Sequence, residues 1–208
     1  MAGVAREFRI RRTPPPNLGS LRDPSPQAEG ENVVTSFSSR RASRHVIQPT
    51  SIRTSVVSTT ERPDLVPIVA DWLWNAFWRP GGHSLDDTLQ AVSRSVGVQP
   101  MPRTFVLLLG DRPVGTASLV AHDLDERPDL TPWLAGMFVE PDVRGRGYAG
   151  HLIAAVEAQA RTAGIATLWL YTKAAERVYA RAGWRTVDTV QHGGKPFALM
   201  RRDLVHEP

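Results

Sequence analysis

Trp133-Leu134-Ala135-Gly136-Met137-Phe138-Val139-Glu140-Pro141-Asp142-Val143-Arg144-Gly145-Arg146-Gly147-Tyr148-Ala149-Gly150 is the stretch that decides the fold. Its first seven residues, Trp133 to Val139, are an apolar run that predicts a buried strand, and Pro141-Asp142 ends it. Beyond Gly150 the apolar period changes: Leu152, Ile153, Val156 and Ala160 share one face of a predicted helix that Gly164 closes. The join between them reads Arg-Gly-Arg-Gly. Glycine has no Cβ, so backbone N–H groups there can close on an anion; the helix start adds partial positive charge, and Arg144 and Arg146 add whole charges. Such a loop is suited to a pyrophosphate. The alternative is a tight turn whose glycines serve packing alone.

Gly145-x-Gly147-x-x-Gly150 also matches the dinucleotide fingerprint, but the rest of that fold is missing. An acid should follow about 20 residues on, to hold a ribose, and that neighbourhood reads Leu170-Tyr171-Thr172-Lys173. Fewer than 60 residues follow the motif, too few for the remaining strands of a doubly wound sheet.

Upstream, Thr104 to Leu109 and Val114 to Val120 are β-rich runs separated by Gly110-Asp111-Arg112-Pro113, which predicts an antiparallel hairpin. Before them lie a β-prone stretch around Ile52, Val56 and Val57, a helix with Leu65, Ile68, Val69, Trp72, Leu73, Ala76 and Phe77 at helical spacing, and a second helix. That second helix starts at Ser84, with Asp87 placed for a capping box, and ends near Gly97. Downstream, Leu168 to Tyr171 is a buried strand, Ala174 to Ala182 a short helix ending at Gly183, and Arg185 to Val190 and Phe197 to Arg202 two closing strands. The order β α α β β β α β α β β defines an α/β fold: a central mixed, partly parallel sheet flanked by helices, with crossover helices from Trp133 onward.

Composition narrows the function. The 208 residues include no cysteine, so a disulfide scaffold, a thiolate metal site and a cysteine nucleophile are excluded. No apolar run approaches the ~20 residues of a membrane span, and a soluble protein without a membrane partner is expected. The net charge of +4 suggests nucleic acid until it is located. Residues 1–62 hold ten arginines and five acids, a balance of +5, and residues 63–208 hold fifteen basic and sixteen acidic residues, a balance of −1. No basic face is expected on the folded part, and nucleic acid is not an expected partner. Residues 1–50, rich in Arg, Ser and Pro, are expected to be a disordered tail, and residues 51–208 the folded domain. No apolar segment marks a secretory signal, and a cytoplasmic location is expected.

Two motifs resemble the GNAT superfamily of acyl-CoA-dependent N-acyltransferases. The family's pyrophosphate loop, Arg/Gln-x-x-Gly-x-Gly/Ala after a Val-x-Pro strand end, is similar to Val139-Glu140-Pro141 followed by Arg144-Gly145-Arg146-Gly147-Tyr148-Ala149. Its later signature, Leu-Tyr-x-x-x-Gly-Phe, is similar to Val178-Tyr179-Ala180-Arg181-Ala182-Gly183-Trp184. The resemblance covers about residues 51–204. It implies an acetyl-CoA-dependent N-acetyltransferase, with acetyl-CoA as co-substrate and an amine, small or peptide-borne, as acceptor. Backbone groups of Met137, Phe138 and Val139 would hold the pantetheine arm and polarise the thioester, and Arg144, Gly145, Arg146, Gly147, Tyr148 and Ala149 would bind the pyrophosphate. The acyl chain would enter between the strands of Val139 and Leu170, which splay apart in the family. Tyr179 falls where the family places the general acid for the departing thiolate; a tyrosine that only packs the core is the alternative. Many members carry an Asn a few residues before that tyrosine; here Thr172 has to make that contact, or nothing does. No residue stands out as the base, with Glu140 and His83 as candidates. A module that binds acyl-CoA without catalysis is the alternative function. A homodimer is common where such folds expose apolar strands.

In this family the acceptor side is built largely by the first two helices, here joined through Trp72-Leu73-Trp74-Asn75-Ala76-Phe77-Trp78-Arg79-Pro80-Gly81-Gly82-His83. Trp72 and Trp74 point about 200° apart on a helix, so the four aromatics cannot all face one core. At least one is expected at an acceptor pocket, a dimer contact or the rim of the sheet. Asp86 and Asp87 read as helix-capping groups, His122-Asp123-Leu124-Asp125 as a solvated loop, and no metal site is expected.

Overall fold

The computed structural model describes residues 53–204. The expected tail over residues 1–50 lies outside the described residues. The elements are β1 (Thr54–Ser58), α1 (Val66–Leu73), α2 (Leu85–Ser93), β2 (Arg103–Leu109), β3 (Arg112–Val120), β4 (Trp133–Val139), α3 (Tyr148–Thr162), β5 (Thr167–Thr172), α4 (Glu176–Arg181), β6 (Arg185–His192) and β7 (Lys195–Asp203). They form one seven-stranded sheet in the order β1-β2-β3-β4-β5-β7-β6. Every neighbouring pair is antiparallel except β4 with β5. The expected mixed sheet is therefore present, its parallel pairing confined to one central pair. That pair is joined by α3, and β5 and β6 run in the same direction on either side of β7, joined by α4.

Local chemistry fixes the ends of these elements. The β2–β3 turn is Gly110-Asp111, with Gly110 at φ +60, which a side chain would strain. Ser84 caps α2: its hydroxyl accepts from Asp87 N–H at 3.0 Å while the Asp87 carboxylate accepts from Ser84 N–H at 3.2 Å. The helix expected over 65–77 is regular only to Leu73; Trp74–Trp78 widens to a π-helical turn, and Arg79–Gly81 tightens to a 3₁₀ turn. Four large aromatics in seven positions exceed what one helix face can bury, and the wider turn redistributes them. Trp72 and Trp78 are buried, Trp74 is half-buried and Phe77 is 44% exposed. Phe77 is the aromatic left at the surface.

The sheet is covered on both faces. α3 lays Leu152, Ile153, Val156 and Ala160 against Leu107, Leu119, Leu134, Leu168, Leu170 and Met200, joined there by Tyr179 and Trp184. On the other face α1 and α2 pack Val69, Trp72, Leu73 and Val92 onto Val106, Leu108 and Phe138. The loop between β3 and β4 covers the rest of that face, with Leu124 and Leu130 against Trp133, Val190 and Leu199. Truncating any fully buried leucine of this set to alanine costs about 2–5 kcal/mol. Among the described residues no helix is long and apolar enough to cross a membrane, and no group of three metal-ligating side chains comes together.

Candidate active site

The site begins where β4 loses its partner. β4 and β5 pair only at Trp133↔Trp169, with Trp169 N–H donating to the Pro132 carbonyl at 3.0 Å; beyond that point no pairing joins them. The two parallel strands therefore open towards their C-terminal ends, as the resemblance implied. A bulge in β4 accompanies the opening. Thr116 faces Phe138 and Ser118 faces Ala135, so three steps on β4 match two on β3, and Gly136 within the bulge has φ +61. A bulge adds twist and re-aims the peptides that follow it.

Those peptides divide by the alternation of the ladder. Glu140 N–H donates to Val114 at 2.8 Å, and Phe138 pairs with Thr116, so the peptide groups of Phe138 face β3. The peptide groups of Met137 and Val139 then face the opening towards β5. Arg144 is consistent with this: its Nε donates to the Val139 carbonyl at 2.8 Å, and its guanidinium carbon lies 5.8 Å from the centre of the Phe138 ring. Of the three strand residues named from the sequence, Met137 and Val139 present backbone to the gap, while Phe138 contributes its ring to the α1 face, stacked on Trp72 at 5.4 Å. Gly115 permits the close fit of β3 to this strand end, because a Cβ there would lie 2.7 Å from the Phe138 carbonyl oxygen.

After a 3₁₀ turn at Pro141–Val143, Gly145 (φ +77) and Gly147 (φ +82) take left-handed conformations, and Gly147 is the N-cap of α3. No side chain caps this helix, so its first N–H groups are left for an outside acceptor. A Cβ on Gly145 or Gly147 would touch nothing within 4 Å, so these glycines answer the backbone's need and not a crowded neighbour. Arg146 is exposed beside them, and Tyr148 and Ala149 open the helix, half-buried. The loop therefore sets left-handed glycines, two arginines and an uncapped helix start together just beyond the end of β4.

Across the opening, β5 ends at Thr172, whose hydroxyl accepts from Ala175 N–H at 3.1 Å and so tightens the entry to α4. Thr172 thus holds the start of the helix that carries Tyr179. The Tyr179 ring is buried, and desolvation, aided by the Asp123 carboxylate, pushes its phenol well above the usual range. It keeps its proton at any physiological pH. Glu140, at the tip of β4, accepts at 2.7 Å from the Trp72 indole. The His83 carbonyl accepts from the Trp74 indole at 2.8 Å, and the Arg79 guanidinium lies over the Trp74 ring. The bulge at Gly136, the Trp72–Glu140 link and the buried carboxylate of Glu157 were not read from the sequence. Only Gly136 left a signal there, as a lone glycine inside an apolar strand.

A strand that opens away from its parallel neighbour and feeds a glycine-rich helix start is the arrangement that the resemblance to the GNAT superfamily implied. The Acetyltransferase (GNAT) family matches residues 67–184, more than half of the chain, and the chain belongs to that family. No curated protein matches it in sequence. Several solved structures share its fold. YncA of Salmonella typhimurium, solved with its cofactor acetyl-CoA, is 15% identical with a TM-score of 0.57, over 75% of this chain and 96% of that one. An aminoglycoside 6'-N-acetyltransferase complexed with coenzyme A is 16% identical with a TM-score of 0.60, over 74% and 99%. A spermidine N-acetyltransferase SpeG chimera from Vibrio cholerae and hSSAT is 14% identical with a TM-score of 0.56, over 73% and 95%. At these identities the likeness is one of fold.

Proposed function

We propose that the protein is an acetyl-CoA-dependent N-acetyltransferase that transfers the acetyl group to a primary amine by direct attack within a ternary complex. The observation that carries this reading is the single ladder pair, Trp133↔Trp169, between β4 and β5, which leaves the strand-edge peptide of Met137 and the N–H of Val139 beside the uncapped start of α3. Pantetheine carries two amides and suits such a strand edge; its pyrophosphate suits N–H groups at Gly145, Gly147, Tyr148 and Ala149, with Arg144 and Arg146 close by.

In this reaction the amine nitrogen, as the free base, attacks the thioester carbonyl carbon and forms the C–N bond. Negative charge builds on the carbonyl oxygen, where a preorganised strand N–H stabilises it. The C–S bond then breaks, and the sulfur takes the phenolic proton of Tyr179 as it leaves, while the surplus proton of the amine passes to solvent and the phenolate recovers a proton from solvent before the next turnover. Burial keeps the phenol protonated at the start of each cycle and also opposes its ionisation, so the proton has to pass to the sulfur in concert with C–S cleavage. The acceptor is an amine borne on a small molecule or a peptide.

The reading is tested by release of CoA thiol from acetyl-CoA across a panel of primary amines, including aminoglycosides, spermidine and amino-acid amides. The chain has no cysteine, so a thiol reagent reports turnover without background from the protein. Turnover with at least one amine, slowed about 100-fold in Tyr179→Phe, is the expected result. Tight acetyl-CoA binding with no thiol release by any amine would favour a binding module instead.

A further inference from the structure

Glu157 lies in the middle of α3, 6% exposed, and takes no part in the chemistry above. Its Oε1 accepts from the Trp184 indole at 3.0 Å and lies 3.3 Å from Arg202 Nε; its Oε2 accepts at 3.0 Å from Arg161, one helical turn on. Arg202 also donates to the Gly183 carbonyl at 3.2 Å. The carboxylate therefore ties α3 to β7 and to the end of α4.

Trp184 reaches the site through the way α4 ends. Gly183 is left-handed at φ +85; its N–H bonds back to Ala180 at 3.0 Å, and Trp184 N–H bonds to the Tyr179 carbonyl at 3.1 Å. This closure brings the residue after the glycine against the residue five positions earlier. The rings of Trp184 and Tyr179 accordingly meet edge-on, 6.1 Å between centres and 61° between planes. Stability alone gives little reason for a buried carboxylate reached by two partly exposed guanidinium groups, because a well-packed apolar residue in such a place is often as stable or more so. What an apolar residue cannot do is accept the indole N–H.

We infer that Glu157 is a positioning residue for Tyr179: by fixing the Trp184 indole it holds the phenol ring in place, and it anchors the acid to the same helix whose start is proposed to hold the pyrophosphate. The inference rests on the reading of Tyr179 as the acid.

Two measurements test it. In the first, thiol release from acetyl-CoA with n-butylamine as the probe amine is followed in Glu157→Leu, Glu157→Gln, Trp184→Phe and Tyr179→Phe, and in each of the first three combined with Tyr179→Phe. Glu157→Leu and Trp184→Phe should lower kcat about ten-fold with the affinity for acetyl-CoA held, and Glu157→Gln, which keeps an acceptor oxygen, should recover most of the loss. On the Tyr179→Phe background all three should have no further effect, since a residue that acts through the phenol has nothing left to act on. Wild-type kcat in Glu157→Leu and Trp184→Phe, or the same fold loss with and without the phenol, would overturn the inference and leave the acid assignment standing. Wild-type kcat in Tyr179→Phe would overturn the acid assignment and the inference with it.

The second measurement needs no acceptor. With carbon-13 label on its three tyrosines, the signal lost in Tyr179→Phe is followed against pH in the wild type and in Trp184→Phe, a change that leaves every charge in place. The signal should stay in the protonated form beyond the ordinary phenol value of about 10 in the wild type, and in the variant, where the ring is held less tightly and water reaches it more easily, it should ionise at a lower pH than in the wild type. Identical titrations would overturn the inference.

Discussion

The indole Nε1 of Trp72 donates to Oε1 of Glu140 across 2.7 Å, a bond that spans 68 residues and ties α1 to the tip of β4. Trp72 also stacks on Phe138, two residues earlier on the same strand. One side chain thus fixes the strand end from which Val139 faces the opening.

Trp72→Phe keeps a ring on Phe138 and removes the N–H. The half-buried carboxylate loses its donor, and the variant should be about 1–2 kcal/mol less stable, a fall of roughly 2–6 °C in Tm by calorimetry. An unchanged Tm would mean that the bond contributes nothing net.

Gly115→Ala tests the closeness of β3 and β4. The new Cβ would stand 2.7 Å from the Phe138 carbonyl oxygen and 3.3 Å from the Val139 Cα, and backbone cannot swing aside as a side-chain tip can. A loss of about 1–3 kcal/mol in denaturant unfolding and a weaker affinity for acetyl-CoA are expected.

Gly147, at the end of the loop, and Gly150, in the helix it opens, should behave differently. Gly147→Ala forces a side chain to φ +82 and should cost about 1–2 kcal/mol while weakening acetyl-CoA binding. Gly150 lies within the first turn of α3 with open space at its Cβ position, and Gly150→Ala should stabilise the protein by up to about 1 kcal/mol. Equal effects at the two positions, measured by urea unfolding, would contradict this account of the loop.

Tyr179 makes a pH prediction. Its folded-state pKa is raised, so the native protein holds a phenolic proton that the unfolded chain releases at about pH 10. Its contribution to stability is complete below that pH and is lost as pH rises beyond it. Tm should fall more steeply above pH 10 in the wild type than in Tyr179→Phe, and parallel curves would contradict the burial of the phenol.

The sequence carried most of the fold because its signals were local. Gly110, Gly164 and Gly183 punctuate turns that only left-handed residues close, and the apolar periods on either side of them are clean. The glycine loop was legible for the same reason: Gly145 and Gly147 serve the backbone itself. Less could be read where the outcome depends on tertiary packing. The π-helical turn at Trp74–Trp78 settles a competition among four aromatics for two faces, which periodicity cannot decide. Glu157 sits among Ile153, Val156 and Ala160 on the core side of α3, but its partners Trp184 and Arg202 lie 27 and 45 positions away. The bulge at Gly136 required knowledge of which strand lies opposite.

The central claim is that acetyl-CoA binds along the open edge of β4 with its pyrophosphate on the start of α3. Calorimetric titration of acetyl-CoA into the full-length protein and into Gly147→Glu, with NADPH as a parallel titrant, tests it most directly. The account predicts tight, one-to-one binding by the wild type, loss of that binding in Gly147→Glu, where a carboxylate enters the pyrophosphate site, and no heat from NADPH. Failure of the folded wild type to bind acetyl-CoA, or undiminished binding by a folded Gly147→Glu, would contradict it.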